Sequence, residues 1–131
     1  MGEATLRTLL EAGVTLFDAG RYFEAHEAWE DLWKSANSPL ALLFKGLAQL
    51  SVSLEHARRG NFRGAKSVGM RGLALLTQER HRLCLNWLDQ LLEQVQRYLY
   101  GLDTGLQVAR FKLPEELLSL PLETGDPGRS S

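Results

Sequence analysis

A single cysteine among 131 residues rules out an intramolecular disulfide, and one thiol alone cannot make a thiolate metal site. Cys84 sits among Leu83, Leu85 and Trp87, so it reads as a small core residue in a reducing compartment, the cytoplasm. Proline occurs only at positions 39, 114, 121 and 127, which leaves long stretches without a helix breaker. β-Branched residues are few and no stretch alternates with period two, which argues against a sheet. Neither sign of charge dominates. Fifteen basic residues face sixteen acidic ones, so no global field draws the chain to nucleic acid or to an anionic membrane. The apolar run 39–44 is far too short to span a bilayer. The first 17 residues carry Glu3 and Glu11 without a basic stretch and do not read as a signal peptide; Gly2 lacks a hydroxyl residue at position six, against myristoylation. A glycine-rich phosphate loop and a serine elbow are missing as well.

What is present is helical periodicity. Apolar spacing predicts helices over 4–18, 22–34, 39–59, 62–79 and 83–100, with Gly20 suited to close the first in a left-handed position. Ser38 suits the N-cap of the third helix and Pro39 its first turn. That helix is apolar around most of its circumference and belongs at the centre. The expectation is an all-α, compact bundle of about five helices spanning residues 1–105. An extension over 106–122 follows, with a short helix from Pro114, and then a Gly/Pro/Ser-rich tail over 123–131. A faint repeat aligns Gly20-Arg21-Tyr22-Phe23-Glu24-Ala25 with Gly60-Asn61-Phe62-Arg63-Gly64-Ala65, in the manner of tetratricopeptide-like antiparallel hairpins.

The candidate site is His26 and Glu30, four residues apart on the second helix and so on one face. With His26 as zero, at about 100° per residue, Trp33, Tyr22 and Trp29 fall to one side, and Glu30 and Phe23 fall about 40° and 60° to the other. An imidazole and a carboxylate among aromatics are costly unless paired, hydrogen-bonded or bound to something. Glu24, Glu27 and Asp31 lie opposite, on the solvated face. A histidine and a carboxylate one turn apart can reach one divalent metal ion, but two ligands do not complete a site. With the hairpin turn centred near residue 37, His26 is level with about residue 47 or 48, so Gln49 is best placed to meet it and Lys45 is nearer Glu30. On this register His56 lies roughly 13 Å beyond the matching level and joins only if the second helix is tilted or shifted. Lys45, Gln49, Ser53 and His56 form one polar stripe on the third helix, within about 80°. The zinc-protease helix does not fit, because Glu30 stands where its second histidine is required. His81 reads as a surface residue at a turn.

Arg58, Arg59, Arg63, Lys66 and Arg71 make a modest basic cluster with almost no interleaved aromatics, which disfavours nucleic acid. Gly64, Gly69 and Gly72 cost about 1 kcal/mol each within a helix, so they mark a close backbone approach, inside the bundle or across a dimer interface.

The run Phe17-Asp18-Ala19-Gly20-Arg21-Tyr22-Phe23-Glu24-Ala25-His26-Glu27, with Glu30 and Trp33, resembles the signature of the bacterial and archaeal family known as domain of unknown function 309. Lys45-Gly46-Leu47-Ala48-Gln49-Leu50, His56 and the run from Arg59 to Ala65 are similar to its second block. The resemblance spans roughly residues 5–100 and rests on the motif His-x3-Glu-x2-Trp, here His26, Glu30 and Trp33. It implies an all-helical fold and a metal ion at His26 and Glu30, and it implies no particular activity.

Two functional expectations follow. In the first, His26 is a ligand or proton acceptor in a helical groove and Glu30 holds its tautomer or joins the coordination. Tyr22, Trp29 and Trp33 wall the site and Gln49 closes it, with metal-assisted hydrolysis the first reaction class to test. In the second, the protein is an interaction or self-association module for a protein partner. His26–Glu30 is then a buried strut, and Gly69 and Gly72 mark the self-association surface.

Overall fold

Two turns of the same construction organise the chain. The N–H of Gly20 bonds the Phe17 carbonyl and that of Arg21 the Leu16 carbonyl; forty residues on, Gly60 bonds Ala57 and Asn61 bonds His56. Both glycines are left-handed, with φ of 78° and 81°. Each turn is therefore a helix C-terminus closed on its own last carbonyls, and a new helix starts two residues later. The computed structural model describes residues 3–35, 39–105 and 111–122. Among these residues there are five helices and no strand: α1 (Glu3–Asp18), α2 (Tyr22–Ser35), α3 (Ala41–Arg58), α4 (Phe62–Arg82) and α5 (Asp89–Thr104). Short 3-10 turns span Asn86–Leu88 and Glu115–Ser119.

Each helix packs on the next as an antiparallel neighbour, and α3 lies between α2 and α4 as its apolar circumference requires. The expected glycine approach is internal. A Cβ on Gly72 would stand 3.3 Å from Gln49 Cβ and from the Leu50 amide nitrogen, and one on Gly69 would stand 2.7 Å from Ser53 Oγ. Both glycines thus face α3 within the bundle, not an outer surface. Gly64 meets only the side chain of Asn61. A buried polar relay ties three helices together at this seam. Ser53 Oγ donates to the Ala65 carbonyl at 2.5 Å, so it accepts from the Tyr98 hydroxyl at 2.8 Å. Burial pushes the Tyr98 phenol up to about 12, against the pull of the Ser53 bond.

Several boundaries differ from the sequence expectation, most of all those of α5, which starts at Asp89 rather than 83 and ends at Thr104 rather than 100. Helix α3 starts at Ala41 after a Pro39–Leu40 turn whose Pro39 carbonyl accepts from the Arg82 guanidinium; Ser38 lies outside the described residues. Helix α4 runs three residues further than expected, and the same Arg82 grips the fully buried Glu79. Burial pushes the Glu79 carboxyl upward, but the bonds from Arg82 and Gln78 outweigh it and hold the group below its ordinary value. Cys84 is the largest correction. It is exposed rather than in the core, and takes the left-handed position (φ 56°) that ends α4. The amide of Leu85 there bonds back to the Arg80 carbonyl, so the chain restarts with a 3-10 turn before α5. His81 is exposed, as expected.

The segment 111–122 closes the side of the bundle between α1 and α5. Phe111 meets Phe17 and Tyr98 edge-on, with ring centroids 6.2 and 5.4 Å apart. Leu113, Leu117, Leu120 and Leu122 are buried in the same core as the helices. Arg7 donates to the carbonyls of Leu118 and Leu120, and Gln94 makes a two-way amide bond with the backbone of Lys112. The short helix expected from Pro114 is a 3-10 turn, and the expected tail, 123–131, lies outside the described residues. Among the described residues no helix is long and apolar enough to cross a membrane.

Candidate functional site

The Gly20 turn delivers Phe23 and His26 to the outer side of α2, while Ala25 and Trp29 point inward. Trp29 is 0% exposed, and its ring fills the space where a Cβ on Gly13 of α1 would stand, 2.7 Å away. Tyr22 also turns towards α1, edge-on to Phe17 with centroids 5.2 Å apart. These two aromatics, expected to wall the site, belong instead to the α1–α2 packing. They lie on the side of His26 away from Phe23, and that side is covered by α1.

His26 and Glu30 meet. His26 Nε2 is 2.7 Å from Glu30 Oε2, with side-chain exposures of 25% and 33%. Lys34, one turn further, holds Glu30 Oε1, also at 2.7 Å. The hydrogen bond from Lys34, opposed by burial and aided by the charges of Lys34 and His26, holds the Glu30 carboxyl below its usual range. The result is a three-rung ladder in which both carboxylate oxygens are engaged. Since a carboxylate only accepts, the Glu30 contact requires the His26 hydrogen on Nε2.

The α2–α3 register decides what His26 faces. Lys45 Nζ sits 5.0 Å from the centroid of the Trp33 ring, a cation–π contact. Halfway between 33 and 45 is residue 39, two beyond the turn centre expected from sequence, so His26 is level with residue 52, as far beyond 39 as it precedes it. Accordingly, one cleft of about 250 Å³ is lined by Phe23, His26, Val52, Glu55, His56 and Arg59. The two histidines share it, and Gln49 does not line it. Gln49 turns towards Gly72 of α4 instead. The polar stripe of α3 splits for a geometric reason: relative to Lys45, Val52 and His56 fall within about 20°, whereas Gln49 and Ser53 fall about 40° and 80° round, towards α4.

His56 has a defined tautomer. Asn61 caps α4 by accepting the Gly64 amide on Oδ1 at 3.0 Å, which leaves its NH₂ to face His56 Nδ1 at 3.2 Å. Nδ1 must accept, so the ring hydrogen is on Nε2. Glu55 closes the base of the cleft. Arg58 binds both its oxygens (2.9 and 2.7 Å) and Arg59 Nε adds a third bond at 2.7 Å. Led by the Arg58 bonds, and despite burial, these contacts lower the Glu55 carboxyl to about 2. Two acids thus sit against three of the five residues of the expected basic cluster, since Lys66 is likewise paired with Asp103.

Phe23, Val52, Glu55 and Arg59 were not among the expected site residues. The signal that could have found them is the hairpin level, displaced by two residues of turn. Among the described residues, no three His, Cys, Asp or Glu side chains are placed to hold one metal ion. Glu30 has both oxygens engaged and His26 has its Nε2 engaged, which leaves the pair His26 Nδ1 alone, and one nitrogen does not make the ion site that the resemblance implies.

Antiparallel helical hairpins joined by one repeated turn, with a histidine-lined cleft between two of them, place the protein among all-α helical bundles. Residues 10–68 match the family model described as Domain of unknown function (DUF309), the family that the two motif blocks resemble. The match contains both motif blocks and ends within α4, short of the span expected from the resemblance. No curated protein and no solved structure matches the chain.

Proposed function

We propose that this is a non-catalytic recognition module of the cytoplasm, built from tetratricopeptide-like hairpins, whose α2–α3 cleft takes a side chain from a protein partner. The observation that carries this reading is the closed His26–Glu30–Lys34 ladder. Both Glu30 oxygens are engaged, by His26 Nε2 and by Lys34, so the ladder works as a strut that fixes the imidazole in the cleft wall. Apart from His26 Nδ1, what it leaves for a ligand is apolar surface. Phe23 is 51% exposed beside His26, with ring centroids 6.2 Å apart, and Val52 lies across from them. An exposed aromatic at the mouth of a concavity is the feature that binding sites share.

The test is an NMR titration with N-acetylphenylalanine amide, an uncharged side-chain mimic. Binding in the millimolar range should shift Phe23, His26, Val52 and His56 together. Val52→Trp, which fills the cleft from a partly exposed position, should abolish those shifts while the rest of the spectrum stays native. Shifts scattered over the surface, or unchanged by Val52→Trp, would remove the proposal.

A further inference from the structure

The charges around the cleft carry a statement about what flanks the inserted side chain. Among the described residues, Glu55 is the only acid lining the cleft, and two guanidiniums hold it. That cluster of one carboxylate and two arginines has a surplus positive charge. Two of the neighbouring acids are already engaged by other cations. Glu24 is bound by Arg21, and Glu30 is bound by Lys34 and His26. Arg59 spends only Nε on Glu55, and its side chain is 63% exposed, so its two terminal nitrogens stand at the rim as a fork of donors. The tautomer fixed by Asn61 makes His56 Nε2–H another donor. Among the described residues, the α3 side of the rim therefore offers donors and two guanidiniums against one carboxylate, over an apolar floor.

Size narrows the occupant. At about 250 Å³ the cleft is smaller than the roughly 300–1,000 Å³ of small-molecule pockets, and it has room for one large side chain. We propose that the partner is an acidic peptide segment: a large apolar residue seated between Phe23 and Val52, with an adjacent Asp or Glu received by Arg59. A forked guanidinium is the group best matched to a carboxylate. This inference rests on the recognition reading above and adds the charge of the partner.

The probes are dye-labelled heptapeptides of sequence Ser-Asp-Glu-X-Asp-Glu-Ser, with X as Phe, Leu or Trp. Controls carry Lys at the four acidic positions or Ala at X. By fluorescence anisotropy, at least one acidic peptide should bind about tenfold or more tightly than its Lys counterpart at low salt, and the gap should close as salt is raised. Ala at X should weaken binding about tenfold. Arg59→Gln should reduce the acidic preference to about twofold or less, and Arg59→Lys should restore part of it. Thermal melts of both variants confirm the fold. Equal affinity for acidic and basic peptides, with N-acetylphenylalanine amide still shifting the cleft, overturns the acidic inference and leaves the recognition reading standing. No binding by any peptide and no shift by the amide overturns both.

Discussion

Gly72→Leu should cost more than about 4 kcal/mol and leave little native protein at 37 °C, because a side chain of that size fits only if the α3 backbone moves. A Cβ there would stand 3.3 Å from the Leu50 nitrogen and 3.4 Å from the Gly46 carbonyl oxygen, both backbone atoms of α3. Three further carbons can be accommodated only by prising α3 from α4. That would also break the Ser53 relay and the contact of Gly46 with Leu76, where a Cβ would be 2.8 Å from Leu76 Cδ2. Circular dichroism melts measure the loss. A native melting temperature with altered sedimentation would show that Gly72 faces a second copy of the chain, contrary to the packing described here.

Trp29→Ala should be nearly as damaging, at about 3–5 kcal/mol, since it empties a fully buried aromatic site shaped by Gly13. Trp29→Phe is the informative companion. The indole Nε1 is buried and, among the described residues, has no hydrogen-bond partner. Phenylalanine removes that orphan donor while keeping most of the apolar volume. The two effects oppose each other, so the expected loss is less than about 1.5 kcal/mol. Denaturant titration of both variants separates the terms. A Trp29→Phe loss as large as that of Trp29→Ala would mean that the N–H is engaged and that the tryptophan carries more than packing.

Much of the fold could be read from the chain because its punctuation is strong. Gly20 and Gly60 take left-handed conformations that other residues adopt only at a cost, so both hairpin turns stand out. The next turn, at Cys84, is made by a non-glycine residue in the same conformation, and its neighbours Leu83 and Leu85 make it resemble core. Local composition cannot register that kind of strain. The start of α3 was hidden for another reason: Pro39 looks like a first helical residue, and the Arg82 that holds its carbonyl is 43 residues away in the chain. That displacement moved the level of His26 from Gln49 to Val52, which is why the His26–Glu30 pair could be anticipated and the rest of its cleft could not. Residues on one helix are placed by a fixed rotation per step, whereas residues on two helices are placed by the turn between them.

The central claim is that His26 is held by Glu30 as part of a cleft wall and is not the ligand of an ion. Long-range nitrogen–proton NMR correlation of the neutral imidazole, on protein purified without a histidine tag, tests this most directly. The account predicts hydrogen on Nε2 and a bare Nδ1 for His26, with the same pattern for His56 and no change on adding a chelator. A metal-shifted nitrogen at His26 that reverts with chelator, or a hydrogen on Nδ1, would contradict it.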